Sequence, residues 1–165
     1  KTSGMLVTHD PEEAMAICDR VAVMNDGFIH QHDKPAQLMR HPKTLFVSSF
    51  IMDNNIFNVK FENGYFKSII GEFKVPILSD YREVKFLSIS PKSLSIERCQ
   101  NGSGRVVSKE FLGEYFVYKI AIGDDYFRVR TDISNEIDLN ERCNIKPLKN
   151  EEFFLFPGAY KNTFQ

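Results

Sequence analysis

The organisation of this chain follows from one segment, Met5-Leu6-Val7-Thr8-His9-Asp10-Pro11-Glu12-Glu13-Ala14, in which a short apolar run meets a polar corner and a helix start. Met5 to Val7 have the composition of a buried strand. Asp10 is a favourable N-cap, Pro11 suits the first helical position, and the two glutamates place carboxylates where the helix dipole favours negative charge. The segment therefore predicts a strand, a corner that carries His9, and a helix.

A histidine at this corner stands at the carboxyl end of a strand, the edge of an open α/β sheet where ligands usually bind. Neutral imidazole can donate one hydrogen bond and accept another, so His9 could link a phosphate oxygen to a water molecule. The residues alone leave a second interpretation open, in which His9 is a solvated loop side chain beside a helix cap.

Composition places the chain among globular proteins. Its 165 residues are 42% hydrophobic, which suits one domain or one domain with a fragment of another. The formal charge of −1 gives no overall basic field of the kind that indicates nucleic acid. The three cysteines are odd in number and far apart, which indicates reduced thiols in a cytosolic protein. No apolar run approaches the roughly 20 residues that span a bilayer, so we expect any membrane role to be peripheral.

Beyond the corner, the pattern predicts a helix over residues 11–18 that buries Ile17, a hairpin around Asn25-Asp26-Gly27, and two short helices over residues 33–40 and 45–51. His30 and His32 alternate along one strand, but the sequence offers no third ligand at useful spacing, so no metal site is expected. The helical pattern stops near Asp53. We therefore predict one domain over residues 1–53 and another over residues 54–165.

The sequence pattern predicts that the second domain is all-β. Asn63-Gly64 and Gly123-Asp124-Asp125 are hairpin signals between short alternating runs, and many short strands at near-regular spacing favour a small barrel or sandwich. Asn101-Gly102-Ser103-Gly104 predicts a hairpin connection rather than a phosphate-binding nest. The strand candidates are residues 56–61, 65–69, 73–77, 84–90, 93–97, 105–111, 115–122, 126–131 and 143–147.

The segment from Val7 to Ala14, followed by Asp19 to Gly27, strongly resembles the switch segment, or H-loop, of ABC-transporter ATPases. Phe46-Val47-Ser48-Ser49-Phe50-Ile51 is similar to a later helix of the importer type, although Met52 stands where a Gly is usual. The resemblance implies that residues 1–53 are an α/β fragment of an ABC ATPase nucleotide-binding domain. It also implies that His9 is catalytic, contacting the γ-phosphate of ATP and holding the attacking water, while Asp10 shapes the corner.

Residues 54–165 resemble the TOBE domain, an OB-like β-barrel appended to many importer ATPases. Leu112-Gly113 lies at the Leu-Gly position of that family. Ser90 and Lys92 replace the Arg and Glu of its apolar-Arg-Pro-Glu motif. The resemblance implies an all-β regulatory barrel that mediates subunit contacts or senses a small molecule.

The chain contains no Gly-x-x-x-x-Gly-Lys-Ser/Thr loop, no Ser-Gly-Gly signature and no water-polarising carboxylate after a strand in the family's pattern. Phosphoryl transfer depends on positioning and charge stabilisation that one histidine cannot supply. We therefore expect the chain alone to be inactive, and we interpret it as the C-terminal segment of a longer ATP hydrolase. That protein would use ATP and Mg²⁺, which the fragment itself is not expected to bind.

The resemblance further implies the ATP-binding subunit of a solute importer, with ferric iron or polyamine favoured by the junction between Phe50 and Phe57. It implies a homodimer on membrane permease subunits at the cytoplasmic face of the cell membrane, an indirect link to a solute-binding protein, and no nucleic acid.

The residues leave two other function classes open. One is a freestanding OB-like module that binds a ligand or nucleic acid through Tyr126 or Phe127 beside Arg128 and Arg130, although alternation lets only one of the two rings face outward. The other is a hydrolase using His9 with Asp10. Adjacent strand residues point to opposite faces, and no Gly-x-Ser-x-Gly elbow occurs, so this class is disfavoured.

Overall fold

The computed structural model describes residues 3–75, 81, 83–149 and 151–158 of the chain. These residues divide into two compact units. The first, here called the N-terminal unit, holds the described residues up to Asn54. The second, here called the β unit, runs over Asn55–Gly158. Every helix in the described part of the chain is too short or too polar to cross a membrane.

The N-terminal unit has the predicted order of helix, hairpin and two further helices. Its elements are α1 (Pro11–Ile17), β1 (Val21–Asn25), β2 (Phe28–Asp33), α2 (Pro35–Arg40) and α3 (Leu45–Met52). Asp26 and Gly27 have φ values of 49° and 80°, which is the positive pair that a tight hairpin with this sequence requires. The turn prediction is therefore confirmed.

A small apolar cluster holds this unit together. Val23, Leu38 and Val47 are its buried members, and Met15 is among the half-buried residues that pack against them. The prediction that α1 buries Ile17 is wrong, since that side chain is 69% exposed and α1 has no buried residue.

The predicted strand over Met5 to Val7 is also absent. These residues have no strand assignment, and Met5 and Val7 are 93% and 89% exposed. A strand persists only where a neighbouring strand takes up its hydrogen bonds, and no described strand pairs with this run. The prediction rested on apolar composition, which does not show whether a partner strand is present.

The β unit is built of short antiparallel strands. They are β3 (Asn55–Asn58), β4 (Lys60–Glu62), β5 (Tyr65–Ser68), β6 (Gly71–Lys74), β7 (Val84–Ile89), β8 (Leu94–Arg98), β9 (Gly104–Phe111), β10 (Tyr115–Ile122), β11 (Asp125–Asp132), β12 (Arg142–Pro147) and β13 (Phe153–Pro157). The expected single strand over residues 56–61 is two strands, because it bends at Val59, whose amide donates to the carbonyl of Lys85 at 2.9 Å. Part of the strand expected over residues 73–77 lies outside the described residues.

The described strands of the β unit form three sheets, with orders β11-β10-β9-β12-β8, β13-β7-β3 and β4-β5-β6. The predicted all-β class is thus correct, but the hydrogen bonds among the described strands do not close a barrel. The sheets share one core instead. Its fully buried members include Phe57, Phe66, Leu87, Tyr118 and Ile120.

Asn55 links two of these sheets through its side chain. Its amide nitrogen donates to the carbonyl of Arg128 at 2.7 Å, and its amide oxygen accepts from the Arg128 amide at 2.7 Å. The side chain thus forms the two hydrogen bonds with the Arg128 backbone that a neighbouring strand would form with the edge strand β11. Behind it, the rings of Phe57 and Phe127 stack at 4.3 Å.

The predicted hairpin at residues 101–104 is wrong. Arg98 at the end of β8 and Gly104 at the start of β9 both pair with Cys143, so β12 lies between them and residues 99–103 cross over it. A Cβ on Gly102 would lie 2.3 Å from the Cys143 carbonyl oxygen. Glycine is needed here for close backbone approach rather than for a tight turn.

Candidate functional site

Local hydrogen bonds build the corner that carries His9. The Asp10 amide donates to the Thr8 hydroxyl at 3.1 Å. One Asp10 carboxylate oxygen then accepts from the Glu12 and Glu13 amides, at 2.9 and 3.3 Å. The predicted N-cap is confirmed, and the side chains of Thr8 and Asp10 fix the chain on both sides of His9.

The imidazole of His9 is exposed at this corner, and none of the described residues forms a hydrogen bond with it. Both ring nitrogens can therefore reach an external oxygen, one as a donor and one as an acceptor. Asp10 directs its carboxylate at the backbone of α1, so it does not orient the imidazole. The arrangement suits a residue that completes a site formed with other groups.

The other candidate residues do not add to this site. His30 contacts the Thr44 hydroxyl at 3.3 Å and the ring of Phe46 at 4.8 Å. The His32 ring accepts from the Arg20 guanidinium at 3.3 Å. In the described part of the chain, no group of three or more His, Cys, Asp or Glu side chains could hold a metal ion.

Of the two features that could contact a nucleotide phosphate, the His9 ring and the glycine-containing loop, only the His9 ring is accessible for it. The glycine-containing loop over residues 99–103 packs on β12, and the carbonyl of Gly102 accepts from Arg142 at 3.2 Å, so this loop does not cradle phosphates. At this corner the exposed His9 ring fits a phosphate contact, since the Thr8 hydroxyl and the Asp10 carboxylate are engaged with backbone amides.

Sequence reasoning missed an apolar surface on the N-terminal unit. Besides Met5 and Val7, its most exposed large apolar residues are Ile17, Met24, Phe28 and Ile29, between 58% and 73% exposed. Single exposed apolar residues are ordinary, but several in a unit of this size indicate an interaction surface. The adjacent Phe28 and Ile29 after a two-residue turn were the available signal, because adjacent strand residues cannot both face one small core.

In the β unit, Tyr126 is 60% exposed and Phe127 is buried against Phe57, as alternation requires. Leu112 is 51% exposed at the tip between β9 and β10, where Gly113 has φ +83°. Lys92 is exposed in the turn Pro91–Ser93.

Shifted acid–base groups also lie in this unit. A hydrogen bond from Lys67 lowers the pKa of Glu62, and the amide of Ser134 lowers the pKa of Asp132. Burial raises the pKa of the Cys143 thiol to about 11. These shifts follow from ion pairing, capping and core packing, and they do not mark a catalytic centre.

Comparisons with known proteins cover both units. The chain is 33% identical, in an alignment of 152 residues that covers 84% of its length, to the spermidine/putrescine import ATP-binding protein PotA of Mycoplasmopsis synoviae. It is 32% identical over 81% of its length to the protein of the same name from Borreliella afzelii. It is 42% identical over 44% of its length to the Fe(3+) ions import ATP-binding protein FbpC 2 of Rhizobium meliloti.

The chain spans only 32%, 41% and 20% of these three relatives, respectively. No family model matches it. Over most of its length, the chain is a homologue of proteins named as the ATP-binding subunits of importers.

Proposed function

We propose that this chain is the C-terminal segment of the ATP-binding subunit of an ABC solute importer. The observation that carries the proposal is similarity to import ATP-binding proteins over 84% of the chain, which includes both units. In this role, His9 contacts the γ-phosphate of ATP and helps to hold the attacking water. Asp10 keeps the corner in shape by capping α1.

The geometry of the corner supports this role for His9. A residue that contacts a phosphate bound mainly by other groups needs an accessible ring on a fixed backbone. His9 has both, because its ring is exposed and the bonds of Thr8 and Asp10 fix its neighbours. When bound, Mg²⁺-ATP supplies the phosphoryl group that is transferred to water. The residues that would bind most of it have no counterpart in this sequence.

The exposed apolar surface supports the assignment of residues 1–53 to part of a larger nucleotide-binding domain. A two-stranded sheet is marginal by itself in water. The hairpin of β1 and β2 nevertheless leaves Met24, Phe28 and Ile29 exposed. We propose that the remainder of that domain covers this surface.

We further propose that residues 54–165 form a regulatory domain of the TOBE type. The antiparallel strands around one shared core and the Leu112-Gly113 tip support this assignment. We also propose that the protein is a homodimer on membrane permease subunits at the cytoplasmic face of the membrane, linked indirectly to a solute-binding protein. Polyamine or ferric iron is the proposed solute, because the relatives are named for these two cargoes.

A chimera tests the proposal. The segment of the Mycoplasmopsis synoviae relative that aligns with this chain is replaced by the chain, and ATP hydrolysis is measured in the purified chimera. We expect hydrolysis in the chimera and none in the isolated chain. We expect His9→Ala to reduce the rate about 100-fold, as loss of a group acting in the transition state does.

His41→Ala is the matched control, because His41 is also exposed in the same unit and is not placed in the site. Turnover that survives His9→Ala, or that His41→Ala reduces equally, would contradict the assigned role. Hydrolysis by the isolated chain would contradict the interpretation as a segment of a larger ATPase.

A further inference from the structure

Three cations form a diagonal row on the outer face of the five-stranded sheet. Arg130 lies on β11, Lys119 on β10 and Arg105 on β9, and all three are exposed. Arg130 is opposite Val117, and Arg105 is opposite Ala121, the two residues that flank Lys119 on the same face of β10. Regular diagonal neighbours such as Lys119 and Arg130 have Cβ atoms about 7–8 Å apart, whereas a bulge in β9 lies between Arg105 and the position opposite Lys119. We call Arg105, Lys119 and Arg130 the basic strip.

Tyrosine rings hold two members of the strip. The guanidinium carbon of Arg130 lies 3.5 Å from the ring centre of Tyr115, and the Lys119 ammonium lies 4.5 Å from that of Tyr126. Free Arg and Lys side chains lose much rotamer entropy when they bind a ligand, and a cation already stacked on a ring has lost part of it. The strip is therefore partly preorganised to bind an anion.

The strip also lies in an unfavourable arrangement of like charges. Arg142 stands directly opposite Arg105. Like charges in directly opposed positions destabilise a sheet. No carboxylate forms an ion pair with Arg105, Lys119 or Arg130 among the described residues, although Glu110 and Asp132 border this face.

Four other cations of the β unit, Lys67, Arg98, Lys109 and Lys146, are paired with carboxylates. Lys146 is bound to Glu97 at 2.6 Å across β12 and β8. Lys60 lies opposite Lys67, but there Glu62 and Glu72 both approach the Lys67 ammonium, at 2.9 and 3.9 Å. The basic strip lacks such partners and keeps its charge, which is a cost to the fold that a bound anion would relieve.

We propose that the basic strip binds a compact ligand with two or more phosphoryl groups. Three cations at this spacing can contact several phosphoryl oxygens at once, and arginine offers paired N–H donors that match them. Ala121, half-buried between Lys119 and Arg105, has a small side chain and leaves space on which such a ligand can lie. This site is separate from the His9 corner and shares no residue with it.

The surroundings of the strip favour a compact anion over a membrane. Asp124 and Asp125 form the exposed tip next to Tyr126, while Glu110 and Asp132 border the other end. A flat anionic bilayer would meet these carboxylates together with the cations, and the attraction would largely cancel. Glu110 stands directly opposite Val117 on this face, so a ligand on the strip must be small enough to stay clear of its carboxylate.

The test is titration of the 165-residue chain with sodium tripolyphosphate at low ionic strength, followed by calorimetry and by amide NMR shifts. We expect the largest shifts on β9, β10 and β11. We expect Lys119→Gln and Arg130→Gln each to weaken binding about three- to fivefold, the effect of removing one exposed ion pair. Lys74→Gln on β6 removes the same charge from another sheet and should leave binding unchanged.

Lys119→Arg and Arg130→Lys keep the charge and should keep most of the binding. Thermal unfolding of each variant separates loss of binding from loss of fold. Three results would overturn the proposal: no tripolyphosphate binding by the unmodified chain, equal weakening by Lys74→Gln, or tighter binding per charge to phosphatidylglycerol vesicles or single-stranded RNA. None of these results bears on ATP hydrolysis in the chimera, so the two proposals can fail separately.

Discussion

The N-terminal unit and the β unit differ in how they treat apolar side chains. The β unit gathers residues of all three sheets into one core, with Phe57, Phe66 and Tyr118 at most 1% exposed. The N-terminal unit buries a cluster around Val23, Leu38 and Val47, and leaves Phe28 73% exposed. The β unit therefore buries a large shared core, whereas the N-terminal unit has a small core and several exposed apolar side chains.

In the N-terminal unit, polar contacts compensate for the small apolar core. Gln31 is buried, its amide oxygen accepts from the Lys43 amide at 2.8 Å, and its amide nitrogen donates to the His41 carbonyl at 3.1 Å. Side-chain caps on α1 and α3, from Asp10 and Thr44, serve the same purpose. Local hydrogen bonds thus maintain a unit whose core is small.

The sharpest test of this contrast is a pair of phenylalanine truncations. Phe57→Ala removes a ring that is buried and stacked on Phe127, and it should lower the free energy of unfolding by about 3–5 kcal/mol. Phe28→Ala, in the N-terminal unit, should change it by less than about 0.5 kcal/mol. Urea unfolding followed by far-ultraviolet circular dichroism measures both. Similar losses for the two variants would remove the contrast.

The next largest effect on stability is expected where the loop at Gly102 crosses the backbone of β12. In Gly102→Ala, the new Cβ meets the backbone of Cys143, so either the loop or β12 must move. We expect a loss of about 1–3 kcal/mol, as for other overpacked sites. Gly4→Ala is the control, because nothing lies within 4 Å of its Cβ position. The same unfolding assay applies, and an unchanged midpoint for Gly102→Ala would refute the close approach.

In the N-terminal unit, Gln31→Ala leaves the Lys43 amide and the His41 carbonyl without their side-chain partner. The expected loss is about 1–2 kcal/mol, near the low end for buried unsatisfied groups, because this loop can partly reach water. Hydrogen exchange of the Lys43 amide should also be faster in Gln31→Ala, because the variant removes its hydrogen-bond acceptor. Gln37→Ala on the exposed side of α2 should do neither. Unchanged exchange in Gln31→Ala would show that the cluster alone maintains the unit.

The smallest effect concerns the thiol within the β-unit core. Because the pKa of Cys143 is raised from 9.0 to about 11, its thiol should react with an alkylating reagent at pH 8 at least about 100-fold more slowly than in the urea-unfolded chain. The unfolded thiol ionises first as the pH rises. Its contribution to stability is therefore complete below pH 9 and is lost as the pH approaches 11. Mass spectrometry of the labelled peptides reads the rate, and equal rates in the folded and unfolded chain would contradict burial.

Features set by neighbouring residues could be predicted from the sequence. Asn25-Asp26-Gly27 and Asn63-Gly64 specify their hairpins through positive φ values, and Asp10 specifies the start of α1 through its carboxylate. The exposure of His9 follows from the same corner. Its role as a catalytic residue is an interpretation from resemblance, and it awaits the chimera.

Features set by distant residues could not be predicted in the same way. The run from Met5 to Val7 has strand composition but no described partner, and the loop at Gly102 looks like a hairpin until β12 is placed beside it. β13 was missed because Phe153 to Phe156 do not alternate. The basic strip was missed because its residues meet only once the register of three strands is known.

The position of β12 has a consequence for biosynthesis. During translation, β9 can pair with β10 soon after both emerge, but β8 and the other edge of β9 stay unpaired until residues 142–147 have left the ribosome. Until then the nascent sheet presents two open edges around the buried side of Ile96 and Val106. Such edges attract other chains, so a pause in translation between residues 111 and 142 should expose this protein to aggregation, and a trigger-type chaperone that covers those edges would protect it.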